Sequence, residues 1–324
     1  MDGFLNLMIG AARWAAATAS HELLRGDEPV EASRWHGSGL PPSEVDALLT
    51  ALGEATAFTQ HDHMLHLGQP QIPADRATHS ILSEYLKLHN PAAVVVGEEA
   101  TATEWEEVAA ASAGAEIFVL DAIDGSGPFE DLTFGFGSTI IHLNKVDGGG
   151  FRYNGSLTFN ASGFYVVQDR LDVFVGNAIQ ATAQDALQIG APLRSDTSHA
   201  LALVSARPDH RSRLRAALDW DHPADYRMYT TGGAPAALGI AIGRLDAIVC
   251  PAPQATWDAA YLPALADLGC AIALPDGRRI DRQEAVTWLE MLSPKSKPIP
   301  PFIVTTNTFD HDDAVALLRA ISQS

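Results

Sequence analysis

Two aspartates that follow a short apolar run are the residues of this sequence most suited to chemistry. Asp121 and Asp124 stand at spacing i, i+3 within Ile117–Phe129, and the apolar residues Ile117–Leu120 are typical of a short buried strand. Because successive strand residues point to opposite faces, the two carboxylates converge only if the chain turns between them. Gly125 provides the conformational freedom for such a turn. The spacing therefore predicts a carboxylate pair at the mouth of a sheet.

A pair of neighbouring carboxylates is suited to a hard divalent cation. Like charges raise the pKa of one carboxylate unless a cation lies between them, and Mg2+ takes about six oxygen ligands from carboxylates, water and phosphate. The Ile123 carbonyl is a further candidate ligand, and the amides of Gly125 and Ser126 open a turn that favours an anion. A metal beside an anion site indicates a phosphate ester. The alternative is a strand that ends in an Asp-Gly turn with solvated acids.

Two other segments carry acids in comparable settings. Val94–Ala100 (VVVGEEA) is a predicted strand that ends in a glycine and two acids, and Ala255–Tyr261 (ATWDAAY) opens a predicted helix capped by Thr256. With the central loop, these segments resemble the inositol monophosphatase superfamily, which includes fructose bisphosphatases and bisphosphate nucleotidases. The superfamily signatures G-E-E, D-P-I-D-G-T/S and W-D-x-A correspond here to Gly97–Glu99, Asp121–Ser126 and Trp257–Ala260.

The resemblance implies a fold, a cofactor and a set of site residues. The fold would be α/β (α+β), a layered α-β-α-β-α sandwich whose active site lies between two subdomains, and the cofactor would be two or three Mg2+ ions. The implied metal ligands are Glu98, Asp121, the Ile123 carbonyl, Asp124, Asp258 and Asp75. The implied catalytic residues are Asp75, Glu98 and Ser126.

The resemblance also assigns individual roles. Ser126 stands where the family usually has threonine and would orient the attacking water, while its amide and that of Gly125 would hold the phosphate. Asp75 would bind a further metal ion or polarise the water. The alternative for Asp75 is an acid favoured by the dipole at a helix start. Glu99 would be structural or would support the ligands. The family resemblance further implies a homodimer.

The sequence departs from the family pattern in the central loop and where inositol phosphatases contact the sugar. Ala122 replaces the usual proline, and the closest counterpart of the small-residue sugar contact is Thr230–Ala237 (TTGGAPAA), which contains Gly233. Cys250 aligns with a glutamate that contacts the sugar. Arg227 lies near this segment and is either a contact for a second anionic group or an ordinary surface arginine. These departures argue against inositol monophosphate as the preferred substrate.

Composition restricts the partners and the compartment. The chain has 324 residues, 21 Lys plus Arg and 40 Asp plus Glu, for a formal charge of -19. Such an acidic chain is not expected to bind nucleic acid or an anionic membrane through a basic surface, although bound metal ions allow a small phosphorylated substrate. The N-terminal apolar residues are interrupted by Arg13 and are too few to span a bilayer. Two cysteines without metal-ligand spacing favour a reducing cytoplasm.

The predicted elements divide the chain into three parts. Residues 1–43 form an N-terminal helical extension and linker that either covers the core or builds a subunit contact. Residues 44–190 form an α+β subdomain with the metal-binding loops, and residues 191–324 form an α/β subdomain that completes the active site. Predicted helices include Glu44–Thr59 with Ser43 as its cap, Ala74–Leu88 and Asp312–Ile321. The segment His61–His66 is interpreted as a turn and edge strand, with a transition-metal site as the alternative.

These observations support two functions from different classes. The first is a Mg2+-dependent phosphatase that hydrolyses a small phosphate monoester, namely a sugar, polyol or nucleotide phosphate, by metal-activated water. The alternative is a phosphate-ligand-binding or regulatory protein with the same fold and no turnover. Loss of an acid at Glu98, Asp121, Asp124 or Asp258 would favour the second function, and all four are present.

Overall fold

The protein is described here from a computed structural model. The structure describes residues 2–24, 65–66, 69–70, 73–125, 136–160, 162–178, 185–193, 199–205, 207–221, 226–293 and 299–322. Several predictions therefore lie outside the described residues, namely the helix Glu44–Thr59, the histidines His61 and His63, and Ser126. Within the described ranges, none of the helices combines the length and the apolar character needed to cross a membrane.

The described elements alternate between helices and strands. The helices are α1 (Asp2–Leu24), α2 (Pro73–His89), α3 (Ala102–Ala110), α4 (Pro208–Asp221), α5 (Gly233–Ala241), α6 (Leu262–Asp267), α7 (Arg282–Glu290) and α8 (His311–Ser322). The strands are β1 (Leu65–His66), β2 (Gln69–Pro70), β3 (Val94–Gly97), β4 (Glu116–Asp124), β5 (Gly137–Lys145), β6 (Phe151–Asn160), β7 (Phe164–Asp169), β8 (Asp172–Asn177), β9 (Leu187–Ile189), β10 (His199–Leu203), β11 (Tyr226–Thr230), β12 (Ala247–Cys250), β13 (Ala271–Ala273), β14 (Arg279–Ile280) and β15 (Phe302–Thr305).

The strands form two large sheets and one two-stranded hairpin. The first sheet has seven strands in the order β3-β4-β5-β6-β7-β8-β9, in which only the β3–β4 pair is parallel. The second sheet has six strands in the order β11-β10-β12-β15-β13-β14, with β10 parallel to both β11 and β12. Along the chain, the last strand of the first sheet ends at Ile189 and the first strand of the second sheet begins at His199. The subdomain boundary at residue 190 stays a prediction.

Helix α1 covers one face of the seven-stranded sheet together with α2. Its buried residues recur at helical spacing and include Leu5, Met8, Ile9 and Ala12. They belong to one apolar cluster with residues of α2, β4 and β5, and the ring of Trp14 lies 5.0 Å from that of Tyr85. Of the two roles predicted for the N-terminal helix, the structure shows that it covers the core.

The remaining helices complete a five-layer arrangement. Helices α5, α6 and α7 fill the space between the two sheets, where Ala236, Leu265 and Trp288 share a cluster with Val175 and Ile248. Helices α4 and α8 pack against the far face of the six-stranded sheet. The order is therefore helices, sheet, helices, sheet, helices, which confirms the predicted layered sandwich.

Because α1 belongs to the core, truncating its largest buried side chain is expected to destabilise the protein severely. Trp14 is 1% exposed, and replacing a buried aromatic residue by alanine costs about 3–5 kcal/mol. Urea unfolding of Trp14→Ala should show this loss in the free energy of unfolding. The control is Asn6→Ala on the exposed face of α1, which should change the stability by less than about 0.5 kcal/mol. Equal stability of the two variants would contradict the packing of α1.

Candidate active site

A β-bulge brings Asp121 and Asp124 to one face of the seven-stranded sheet. Asp121 lies opposite Thr139 and Asp124 lies opposite Gly137, so β4 has one more residue than β5 between these pairs. Thr139 and Gly137 are two residues apart and therefore share a face, which places both aspartates on that face as well. The predicted turn between them was wrong, because β4 continues to Asp124. Gly125 follows with φ of 99°, a conformation that favours glycine.

The bulge also takes Ile123 out of the regular pairing with β5. Ala122 is also outside this pairing. Its carbonyl accepts a hydrogen bond from the hydroxyl of Ser138, which replaces the backbone partner that β5 does not provide at the bulge. Both Ala122 and Ile123 are buried. The Ile123 carbonyl as a metal ligand stays a prediction.

Glu98 reaches the same end of the sheet from the parallel neighbour β3. Gly97 pairs with Leu120, and the Glu98 amide donates a hydrogen bond of 3.2 Å to the Leu120 carbonyl. Glu98 therefore lies beside Asp121, because parallel strands end at the same edge of the sheet. A Cβ atom at position 97 would collide with the Leu120 carbonyl oxygen, so this close approach requires glycine.

Strand β5, which pairs with β4, positions the segment that carries Asp258. The hydroxyl of Thr139 donates a 2.8 Å hydrogen bond to the carbonyl of Trp257, which immediately precedes Asp258. Trp257 is buried and its ring packs 6.4 Å from that of Trp105. The predicted helix cap at Thr256 was wrong, since Thr256 has helical backbone angles and makes no side-chain cap. The Asp258 carboxylate makes the local bond instead, accepting 2.9 Å from the Ala255 amide.

Three of the predicted acids meet at one point. Glu98, Asp121 and Asp258 each offer an oxygen, and these oxygens lie within 4.8 Å of one another. Burial and then the charge of Asp124, followed by those of Glu98 and Asp258, raise the pKa of Asp121 well above its usual range. Among the described residues, Asp121 Oδ1 is buried and has no hydrogen-bond partner. Carboxylate oxygens around such an orphaned atom fit a hard divalent cation.

Asp124 lies beside this cluster and also caps α5. Its Oδ2 accepts a hydrogen bond from the Ala234 amide, and the Gly233 amide is a second donor. Burial raises the pKa of Asp124 to about 7, with the Ala234 bond opposing and the charge of Asp258 reinforcing the shift. The helix dipole favours an anion at this end. Gly233, predicted as a specificity residue, therefore directs its amide to a carboxylate of the site.

Asp75 and Glu99 are two further buried acids in this region. Both side chains are buried, Asp75 in the first turn of α2 and Glu99 directly after Glu98. Burial raises the pKa of Glu99 well above its usual range, and the charges of Asp75 and Glu98 raise it further. Glu99 was predicted to be structural or to support the ligands, and its burial fits that role.

His79 is a residue of this region that the sequence reasoning missed. It is 5% exposed, and its ring nitrogens lie 3.8 Å from Glu99 Oε2 on one side and 3.8 Å from Glu104 Oε1 on the other. Burial opposes ionisation of Glu104, but His79 and the backbone and hydroxyl of Thr101 lower its pKa to about 2. The i, i+4 spacing of Asp75 and His79 on one helix face was the signal available in the sequence.

The predicted specificity residues occupy different environments. Cys250 ends β12 and is fully buried, with Sγ 3.7 Å from the Tyr261 hydroxyl. Burial raises the pKa of its thiol, and Asp124 and Asp258 are close enough for their charges to raise it further. Arg227 is exposed near the start of β11, whereas the site lies beyond the far end of that strand. The substrate contacts of Arg227, Gly233 and Cys250 stay predictions.

Three solved structures are similar to this chain over most of its length. The extragenic suppressor protein SuhB of Bartonella henselae matches with a TM-score of 0.53 and 14% identity, covering 99% of this chain and 98% of that one. SuhB of Mycobacterium tuberculosis matches with a TM-score of 0.53 and 15% identity, covering 98% of this chain and 94% of that one. The IMPase of Thermotoga maritima matches with a TM-score of 0.50 and 14% identity, covering 86% of this chain and 98% of that one.

These similarities concern the fold, because the sequence identities are low. Comparison with family models found no match, and no curated protein matches the sequence. The Thermotoga maritima protein is an IMPase by name, and the motifs described above resemble the same superfamily. The chain has the fold of the inositol monophosphatase superfamily.

Proposed function

We propose that this protein is a Mg2+-dependent phosphatase that hydrolyses a small phosphate monoester. The observation that carries the proposal is the convergence of Glu98, Asp121 and Asp258 within 4.8 Å. Three carboxylates this close, one of them with an orphaned buried oxygen, repel each other unless a cation joins them. The fold supports the proposal, since the three similar structures include an IMPase.

The chain's own residues would hold the metal and the substrate. Glu98, Asp121 and Asp258 are the proposed primary ligands, with Asp124, Asp75 and the Ile123 carbonyl as further ligands for two or three ions. A divalent ion in such a site lowers the pKa of a bound water and stabilises the charge that builds on the leaving oxygen. The amides of Gly125 and Ser126 would hold the phosphate, and the Ser126 hydroxyl would orient the attacking water.

Buried groups around the acids are proposed to keep the metal ligands in place. Asp124 accepts a hydrogen bond from the start of α5, and Thr139 holds the segment before Asp258, so other groups of the chain fix two of the proposed ligands. His79 lies between Glu99 and Glu104, behind Glu98. Rigid placement matters because small displacements of catalytic groups cost large factors in rate.

The substrate is proposed to be a sugar, polyol or nucleotide phosphate other than inositol monophosphate. A buried thiol at Cys250 offers neither the charge nor the acceptor strength of the glutamate that the family resemblance places there. The location and the assembly of the protein are further proposals. A cytoplasmic location is favoured because Cys250 and Cys270 are both free, and a homodimer is proposed from the family resemblance alone.

The direct test of the function is phosphate release from a panel of monoesters. The panel contains inositol phosphates, hexose phosphates, fructose bisphosphate, adenosine 3',5'-bisphosphate and NADP, each with Mg2+ and with EDTA. We expect release from one chemical class with Mg2+ and none with EDTA. Release that persists in EDTA would contradict the metal mechanism. Mg2+ binding without release from any ester would support the ligand-binding alternative.

Replacing Asp121 by asparagine should change stability and activity in opposite directions. In EDTA, Asp121→Asn should melt several degrees higher than the wild type, because it removes a buried charge that Asp124, Glu98 and Asp258 repel. With Mg2+, the wild type should gain stability, by about 2.7 kcal/mol at 100 times Kd, and the variant should gain much less. Its kcat/KM should fall by at least about a hundredfold.

Two features make this variant informative. Asp121 is preferable to Asp124 because Asp124 also caps α5, so its replacement would disturb a helix as well as the site. The matched control is Asp147→Asn, an exposed aspartate in the turn after β5, which should melt and turn over like the wild type. A variant at Asp121 that is less stable in EDTA, or that retains the full Mg2+ effect, would exclude the proposed ligand role.

A further inference from the structure

An arginine-lined cleft lies outside the acidic site. It has a volume of about 520 Å3, and its lining includes Arg152, Arg170 and Arg282 together with Tyr153, Val286 and Glu290. The residues come from β6, the hairpin between β7 and β8, and α7. The volume is within the range of about 300–1,000 Å3 that small-molecule sites occupy. None of the acids proposed to bind metal lines this cleft.

The charge of the cleft is opposite to that of the protein as a whole. Three arginines line it in a chain whose formal charge is -19, and Glu290 is the one acid among its lining residues. Glu290 Oε1 accepts a 2.9 Å hydrogen bond from the Tyr153 amide. Within the described part of the chain, the guanidinium groups of Arg152 and Arg170 have neither an ion-pair nor a hydrogen-bond partner. Like charges that share a cleft repel, and a bound anion relieves that repulsion.

Arg282 is held in the cleft by a network of hydrogen bonds. Its Nε donates a 2.8 Å hydrogen bond to Asp267 Oδ2, and its Nη2 donates a 2.7 Å hydrogen bond to the carbonyl of Arg170. Asp267 also accepts from the amide group of Gln168, which is fully buried and in turn accepts 2.7 Å from the Tyr153 hydroxyl. A guanidinium fixed in this way loses little conformational entropy when it binds a ligand.

Arg170 occupies a backbone conformation that normally selects glycine. It is the first residue of the two-residue turn between Asp169 and Asp172, and its φ of 59° is the only positive value at a non-glycine residue of the described chain. This turn position strongly favours glycine. A strained residue that keeps a long cationic side chain at the mouth of a cleft indicates a use for that side chain.

We propose that this cleft binds a small phosphorylated molecule at a site separate from the active site. Guanidinium groups bind phosphate oxygens through paired hydrogen bonds, and the cleft presents three of them from separate segments. Tyr153 and Val286 line the cleft and belong to the same apolar cluster as Trp257, the residue before Asp258. The cleft and the segment that carries Asp258 therefore border the same packed cluster.

The probe for this site is inorganic pyrophosphate, titrated calorimetrically into the full chain in EDTA. Without divalent metal, the carboxylates of the active site repel the anion, so binding reports on the arginine cleft. We expect saturable binding with one site per chain. Arg170→Gly and Arg152→Gln should each weaken the affinity by about tenfold or more. Arg170→Gly should melt at the same temperature as the wild type or higher, because glycine relieves the strained φ.

Two control variants make the test decisive. Arg211→Gln removes an exposed arginine of α4 and should leave the affinity unchanged. Asp121→Asn should also bind pyrophosphate like the wild type in EDTA, whatever its phosphatase activity. The proposal would be overturned if the wild type showed no saturable binding, or if both cleft variants bound pyrophosphate with the affinity of the wild type. Binding that changes in Asp121→Asn but not in the cleft variants would assign the anion to the active site and would overturn it too.

Discussion

Glu98, Asp121 and Asp258 bring three carboxylate oxygens within 4.8 Å of one another, and the like charges repel. Burial strengthens the repulsion, because water is not there to screen it, and it raises the pKa of Asp121 and Glu99 together. Folding into this arrangement is unfavourable for the site itself. The packed layers of helices and sheets must offset that cost, and a bound cation would remove it.

Backbone hydrogen bonding holds these charges in place. The parallel register of β3 and β4 sets Glu98 beside Asp121, and the bulge in β4 turns Asp124 to the same face. Thr139 lies opposite Asp121 and donates to the carbonyl before Asp258, so one strand residue links two of these acids. The start of α5 donates to Asp124 and supplies partial positive charge. The geometry therefore depends on strand and helix ends that the hydrophobic layers make rigid.

Local patterns in the sequence predicted much of this arrangement. The apolar run Val94–Val96 precedes two acids, and the paired aspartates and the W-D segment add three more, so these patterns named five of the acids that the structure places in this region. The helical spacing of Ala74–Leu88 predicted α2, which spans Pro73–His89. Such patterns are reliable because the period of apolar residues follows directly from helix and strand geometry.

Predictions about how the chain bends within a segment were less reliable. A turn was predicted between Asp121 and Asp124 where the structure has a bulge, and a Thr256 cap was predicted where Asp258 makes the bond. A bulge depends on the register with β5, which lies more than ten residues away, and that register is not encoded in the local pattern. His79 was missed for the same reason, since its partners Glu99 and Glu104 come from the segment after β3.

In the sequence by itself, three motifs and their resemblance to a known superfamily predicted the layered fold class and the acids of the site, and residue type indicated the chemistry that such acids favour. Only the tertiary structure decided that the N-terminal helix packs into the core, that three carboxylates share one point, and that three arginines line a separate cleft. The physical reason is that each of these features joins residues from distant segments, and their distances are set by sheet register and layer packing.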